Sequence, residues 1–506
     1  MMSIGIGYRL ALLMYTICDV ISGPSALPVT SPSTLDSDVT WFPSPTNSSP
    51  PLCPPACRCT VTRLLSGSRR RISAACDRPI HDDDRFDPET EAVRVTGNCH
   101  RSFASVMASV GELSTPRQLS LRRCHLYTVE ELLLVGESVN WATVFDLDVG
   151  FNLITGIAGR AFVKMFSLRS LILRHNRIES IDRDAFEGLN DLVRLDLTGN
   201  RLSMVTWADM RWLCALRSLD ELSLRDNGVH VLAAAGFHCR PTPCPLRRLD
   251  LGENRIRRVD DEAFAGLSNI TRLILDSSQL TTVPTAALLR LSASLRELDL
   301  SGNRMEALFS HSFRDLATLR FLRLNRVSTL RFVSRSCFVN LTSLESVELS
   351  GNAALRYIDR EAFLDTPNVA NVSLSGCGMT SVDRQLAGNL FSLNSLDLRL
   401  NPISCDCHAK WMRQSNVTRV DPDVWRDCNV IPDGAGCPPR IAELFDTDLD
   451  VPVTNTFTLY CRAVGFPPPK ISWILPHLLH SNSSAQVQYC PLHFMFLSAL
   501  VCLFVR

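Results

Sequence analysis

The stretch LRSLILRHNRIESIDRDAFEGL, Leu168 to Leu189, decides the fold. Leu171 and Leu173 alternate with Ser170, Ile172 and Arg174, the period of a short strand with one buried face. Asn176 follows where the chain must leave the strand. Ile178, Ala185, Phe186 and Leu189 complete a unit too short to bury its own apolar side chains. The unit recurs along the chain. With the Asn as a ruler, its slot falls at Asn98, Cys124, Asn152, Asn176, Asn200, Asn227, Asn254, Ser278, Asn303, Val327, Asn352, Cys377 and Asn401. Successive slots lie 24 to 28 residues apart, so about 13 repeats fill residues 92–403. Repetition at this period means a stacked array rather than a string of separate domains.

In each repeat the strand x-L-x-L-x sends two leucines inward and the x residues outward. An inward Asn amide donates to, and accepts from, backbone groups that the bend leaves unpaired. Stacked repeats therefore predict an Asn ladder. Cys124 and Cys377 fit the slot as small thiols and Ser278 as a hydroxyl; Val327 cannot hydrogen-bond and marks a weak rung. Phe162, Phe186, Phe237, Phe264, Phe313, Phe338 and Phe363 should stack as a spine on the other side. The motif L-x-x-L-x-L-x-x-N-x-L resembles that of leucine-rich repeats. The resemblance implies an α/β-type solenoid with a parallel β-sheet on its concave face and a mostly irregular convex side.

Such an array needs sealed ends, because the last apolar layer would otherwise face water. CPPACRC, residues 53–59, followed by Cys76, resembles the N-terminal cap of extracellular leucine-rich-repeat proteins, over residues 53–91. The pairing this implies is Cys53–Cys59 and Cys57–Cys76. The 16 residues between Cys59 and Cys76 exceed the usual span for that cap. NPISCDCHAKW with Cys428 and Cys437 resembles the C-terminal cap, over residues 404–438. It implies Cys405–Cys428 and Cys407–Cys437, with Trp411 covering the last leucines. A zinc site at C-x-C plus His408 is the competing reading; an oxidising compartment disfavours it. Cys99, Cys214, Cys239, Cys244 and Cys337 stay open: Cys239 could pair with Cys244, or either with Cys214, and Cys337 reads as a buried thiol. Beyond the cap, TFTLYCRAVGFPPPKISW, with Cys461 and Trp473, resembles the opening strands of an immunoglobulin-like domain. The later strands are missing, so residues 439–480 are expected to be an incomplete all-β segment with Cys461 unpaired. The whole resembles the group that joins such repeats to immunoglobulin domains.

The rest of the chain concerns compartment. Residues 1–22 carry an apolar run ending in small residues and read as a signal peptide. Residues 23–52 are Ser/Thr/Pro-rich and read as a stalk. Six sequons, Asn47, Asn269, Asn340, Asn371, Asn416 and Asn482, agree with secretion. The tail, residues 481–506, ends in FMFLSALVCLFV, too short to span a bilayer. Small residues, a spacer and this apolar run have the layout of a lipid-anchor signal, while truncation of a longer chain explains the tail and the missing strands together. The expected location is extracellular or at the cell surface.

The chemistry is that of recognition. The 506 residues balance 52 Lys+Arg against 52 Asp+Glu, which excludes a chain built mainly to grip nucleic acid. No P-loop, H-E-x-x-H, G-x-S-x-G or dinucleotide fingerprint occurs, so neither enzyme activity nor a cofactor is expected. The acidic run at His81–Asp84 with Asp87, Glu89 and Glu91 lacks the spacing of a calcium loop and reads as solvated. The triplet Arg69, Arg70 and Arg71 is a candidate contact for heparan sulfate, against a plain charged loop tip. The outward strand residues Ile172, Arg174, Arg194, Arg225, Arg248, Arg272, Ile274, Phe321 and Arg323 are the candidate partner-binding surface, since exposed aromatics and arginines anchor interfaces. The expected function is a cell-surface or secreted module for adhesion, guidance or reception of a protein ligand. The alternatives are a structural matrix protein or the truncated ectodomain of a neurotrophin-receptor-like kinase.

Overall fold

The computed structural model describes residues 52–63, 70–96, 99, 103–203, 206, 209–239, 244–405 and 409–425, and the backbone of 437–442, 462–466, 470–474 and 501–505. Residues 1–47 lie outside the described residues.

Among the described residues, sixteen strands form one sheet whose spatial order follows the chain. It opens with an antiparallel pair, Cys57–Arg63 against Arg70–Cys76. Thr90–Val95 then adds in parallel, followed by one three- or four-residue strand per repeat from Gln118–Leu121 to Ser395–Asp397. Thr418–Arg419 closes the far end. The register is uniform: Leu119, Leu147, Leu171, Leu195, Leu222, Leu249, Leu273, Leu298 and Leu322 face one another across successive strands. All are buried. Each contributes roughly 1.5–3 kcal/mol on burial, and only because a neighbouring repeat covers it.

The Asn ladder follows from the bend after each strand. Asn176 donates to Val149 O (3.1 Å) and Leu173 O (2.9 Å) and accepts from Ile154 N (3.1 Å). Asn254, Asn303, Asn352 and Asn401 repeat the donor pattern one layer at a time. Cys377 occupies its rung as a thiol, its Sγ 3.1 Å from Leu349 O. Two rungs differ from the sequence reading. Cys124 is not a free thiol: it is bonded to Cys99. The Ser278 hydroxyl is buried but makes no hydrogen bond, being too short to reach the carbonyls an Asn would reach. Val327 is fully buried, and the ladder bridges it because Val327 N donates to Asn352 Oδ1 at 2.7 Å.

The residue before each slot is left-handed from the second rung to the last. Arg123, Phe151, His175, Asp226, Glu253, Ser277, Arg326 and Leu400 have φ between 52° and 58°, and Gly199, Gly302, Gly351 and Gly376 between 65° and 72°. This conformation turns the chain out of the strand, and for a non-glycine residue it costs roughly 1–2 kcal/mol. Gly199 also needs the space: a Cβ there would lie 2.3 Å from His175 Nδ1.

On the opposite side, Phe162 stacks on Phe186 (5.7 Å), Phe313 on Phe338 (5.5 Å) and Phe338 on Phe363 (4.6 Å). Phe237 meets Phe264 at 6.4 Å. Trp212, fully buried, takes the position after Phe186 in T-shaped contact at 5.3 Å. Connections here are turns, two-residue parallel strands such as Phe313–Arg314, Phe338–Val339 and Phe363–Leu364, and short helices such as Val129–Val135, Thr285–Leu289 and Arg384–Gly388.

Cys53 is bonded to Cys59 and Cys57 to Cys76, closing the first hairpin. Cys405 is disulfide-bonded; Cys407 and Cys428 lie outside the described residues, and Cys437 is described by its backbone alone. Cys214 is bonded to Cys239, which leaves Cys244 a buried free thiol alongside Cys337 and Cys377. Burial pushes the Cys244 and Cys377 thiols up to about 11, so both are inert at neutral pH. Trp411 donates its indole N–H to Val382 O at 3.2 Å, over the last layers. Farther on, Cys437–Ala442 pairs with Arg462–Phe466 and Lys470–Ile474 with Val501–Val505, both antiparallel. These are two separate ribbons, and among the described residues they do not make the immunoglobulin-like sandwich that the Cys461 and Trp473 spacing suggests. Cys461 itself lies outside the described residues.

Candidate recognition surface

Register sorts the outward residues into columns that run across the sheet. One column reads Asp146, Ser170, Arg194, Glu221, Arg248, Arg272, Glu297, Phe321, Ser346 and Asn371. The next outward column reads Asp148, Ile172, Asp196, Ser223, Asp250, Ile274, Asp299, Arg323 and Glu348. Arg174 and Arg225 lie two residues past the second column, at the exit from the strand. The nine candidate partner-binding residues therefore occupy three parallel tracks rather than one cluster.

Most of the arginines among them already have partners. Arg272 pairs with Glu297 at 2.8 Å, and Arg323 with Glu348 at 3.6 Å and Glu297 at 3.9 Å. Arg248 pairs with Asp220 at 2.7 Å and Glu221 at 3.6 Å, and Arg194 reaches Glu221 at 4.0 Å. These are partly exposed ion pairs worth up to about 1 kcal/mol each, so a partner can exchange them at little cost. Ile172, Ile274 and Phe321 are half-buried, and Phe321 lies 5.7 Å from the Arg320 guanidinium.

Arg225 is held differently. Its guanidinium meets Asp276 at 2.7 Å, Glu253 at 2.7 Å and Asp250 at 3.4 Å. Asp276 belongs to the second repeat beyond its own. The passage exists because Gly252 has no side chain: a Cβ there would lie 2.1 Å from Asp276 Oδ1 and 2.2 Å from Arg225 Nη1. The Asp276 hydrogen bond, first of several carboxylate contacts, holds the Arg225 guanidinium firmly protonated. Burial raises the Asp250 carboxyl above its ordinary range, against the opposing pull of Gly252 N–H and Arg225.

Of the sequons, Asn269, Asn340, Asn371 and Asn416 are exposed, and Asn371 stands on the sheet face itself. Asn47 and Asn482 lie outside the described residues. Arg69 is also outside them and Arg70 is described by its backbone alone, while Arg71 pairs with Glu91 at 3.3 Å. In the acidic run, Asp84 Oδ2 accepts from His81 N and Asp87 Oδ1 from Glu89 N. Among the described residues no group of three or more His, Cys, Asp or Glu could hold a metal ion.

The family described as Leucine rich repeat matches residues 144–202, 244–304, 269–327 and 293–353. The repeats in these spans are leucine-rich repeats. Human epiphycan is 32% identical over 152 residues, which cover 30% of this chain and 43% of epiphycan. Chicken tsukushi is 28% identical over 305 residues, 60% of this chain and 73% of tsukushi, and mouse podocan 32% over 183 residues, 35% and 28%. The chain thus spans less than half the length of epiphycan. Among solved structures, a leucine-rich-repeat protein of Leptospira interrogans aligns with a TM-score of 0.45 at 17% identity, over 66% of this chain and 90% of its own. A chain from the octameric complex of Latrophilin 3, Unc5D and FLRT2 aligns at 0.43 and 22% identity, over 60% and 83%.

Proposed function

We propose that the chain is an extracellular recognition module that binds a protein ligand on the outward face of its sheet. Phe321 carries this reading: a half-buried aromatic in the middle of a rigid sheet, with Arg320 against its ring and Arg323 two residues on. Ile274, two strands away in the neighbouring column, adds a second apolar side chain to the face, with Glu297 and Asp299 on the strand between. Secretion is supported by the disulfides and by the extracellular character of its leucine-rich-repeat relatives epiphycan, tsukushi and podocan. Proximity labelling on cell surfaces with the secreted chain, followed by affinity measurement on the captured protein, tests it. Phe321→Ala and Arg323→Ala together should weaken binding at least tenfold with unchanged secretion, the scale of an interface anchor. Equal affinity would remove this face from consideration. Those same relatives favour a second reading, a structural matrix protein. Heparan sulfate binding through Arg69, Arg70 and Arg71 is weakened by the ion pair that Arg71 makes with Glu91.

A further inference from the structure

Phe151 is exposed on the rim where the chain leaves the strands, held there by its left-handed backbone. Its ring stacks on His175 at 4.6 Å. The guanidinium carbons of Arg174, Arg122 and Arg123 lie 5.6, 5.9 and 5.9 Å from its centroid. Arg122 is neutralised by Asp148, 2.7 Å from its Nε. Arg123, Arg174 and the exposed Arg177 have no carboxylate within ion-pair distance among the described residues, and Arg174 Nε is buried without a hydrogen-bond partner. The candidate arginines from Arg194 to Arg323 are instead tied to carboxylates. Arg255, Arg304 and Arg326 on the same rim also lack a carboxylate within ion-pair distance among the described residues, and what distinguishes the N-terminal group is the exposed aromatic ring that its arginines surround. This group lies along a rim of successive repeats spaced by about 4.8 Å.

We infer that this rim, from Arg123 across Phe151 and His175 to Arg177, binds a sulfated glycan chain. The guanidinium fork matches a sulfate ester with two parallel N–H bonds. The exposed Phe151 ring offers an apolar platform for the C–H face of a pyranose between the charged groups. The track is shallow and linear, suited to a polymer lying across repeats rather than to an enclosed small ligand. The choice of sulfated glycan rests on the extracellular reading above. The site itself is independent of the protein face at Phe321.

The probe is a heparin-derived octasaccharide, titrated into the purified secreted chain at about 0.15 M salt, where surface charge is partly screened. Arg123 and Arg177 are exposed and unpaired, so Arg123→Gln with Arg177→Gln should fold normally and lower affinity at least tenfold. Arg314→Gln with Arg331→Gln removes the same charge from other exposed positions and should change affinity less than twofold. Phe321→Ala should leave oligosaccharide binding intact, so failure here is distinguishable from failure of the protein-binding reading. Wild-type affinity in the rim variant, equal weakening in the control, or equal competition by a poly-glutamate peptide would each overturn the inference.

Discussion

At the scale of single residues, the most informative position is Gly252, whose missing side chain lets Arg225 reach Asp276. Gly252→Ala should cost about 1–3 kcal/mol, the range for losing charge-assisted hydrogen bonds. The loss should shrink sharply in an Arg225→Ala background, and a double-mutant cycle by urea unfolding checks both. Ser278→Asn should have the opposite sign. The other rungs show an Asn fitting this slot, and the new amide would satisfy carbonyls the serine cannot reach. A gain of about 1 kcal/mol is expected, read as a raised urea midpoint with unchanged slope. Two of the perturbed aspartates make a contrasting pair. Asp250 has a raised carboxyl, so the fold loses stability as pH rises from below 3.8 through its folded pKa. Asp397 is lowered, chiefly by the Arg399 hydrogen bond, so its contribution is present above 3.8 and lost as pH falls through its folded pKa. In urea melts from about pH 3 to 7, Asp250→Asn should flatten the decline on the rising side. Asp397→Asn should lose stability at neutral pH and converge with the parent in acid.

At the scale of elements, each disulfide at Cys99–Cys124 and Cys214–Cys239 spans 25 residues, the length of one repeat. Cysteines one repeat apart stand in adjacent layers, and a bond between them clamps a turn of the coil. Cys214→Ser with Cys239→Ser should cost about 3 kcal/mol by the loop-closure argument, measured by denaturant unfolding of the oxidised secreted protein. The 25-residue separation was visible in the sequence, and Cys214–Cys239 was among the open pairings; what hid Cys99–Cys124 was that Cys124 also fits the ladder slot. The strands, the ladder and the Phe positions were legible because a single period carries them, and a violation such as Val327 is tolerated by its neighbours. Trp212 was not legible as part of the spine, since nothing in its flanks repeats the Ala-Phe pattern. The face was harder to read than the core. Whether Arg272 or Arg323 is free depends on which residue stands opposite on the next strand, and that is a property of register. Arg174 and Arg225 look alike in sequence, yet among the described residues Arg174 has no carboxylate within ion-pair distance, while Arg225 is ringed by three.

At the scale of the whole molecule, stability accumulates between neighbours, and no repeat stands alone. A chain of this kind held at its two ends and put under tension should yield repeat by repeat, each release paying out slack. The clamped turns behave otherwise. Reducing Cys99–Cys124 or Cys214–Cys239 should add about 80 Å of contour length per bond, at roughly 3.4 Å for each step of the 25-residue separation less the short span the bridge already covers. Optical-trap stretching with and without reductant would show the missing length directly, and equal extension under both conditions would contradict it. If the module tethers a cell to its surroundings, these covalent turns set the limit of its reach before the link fails.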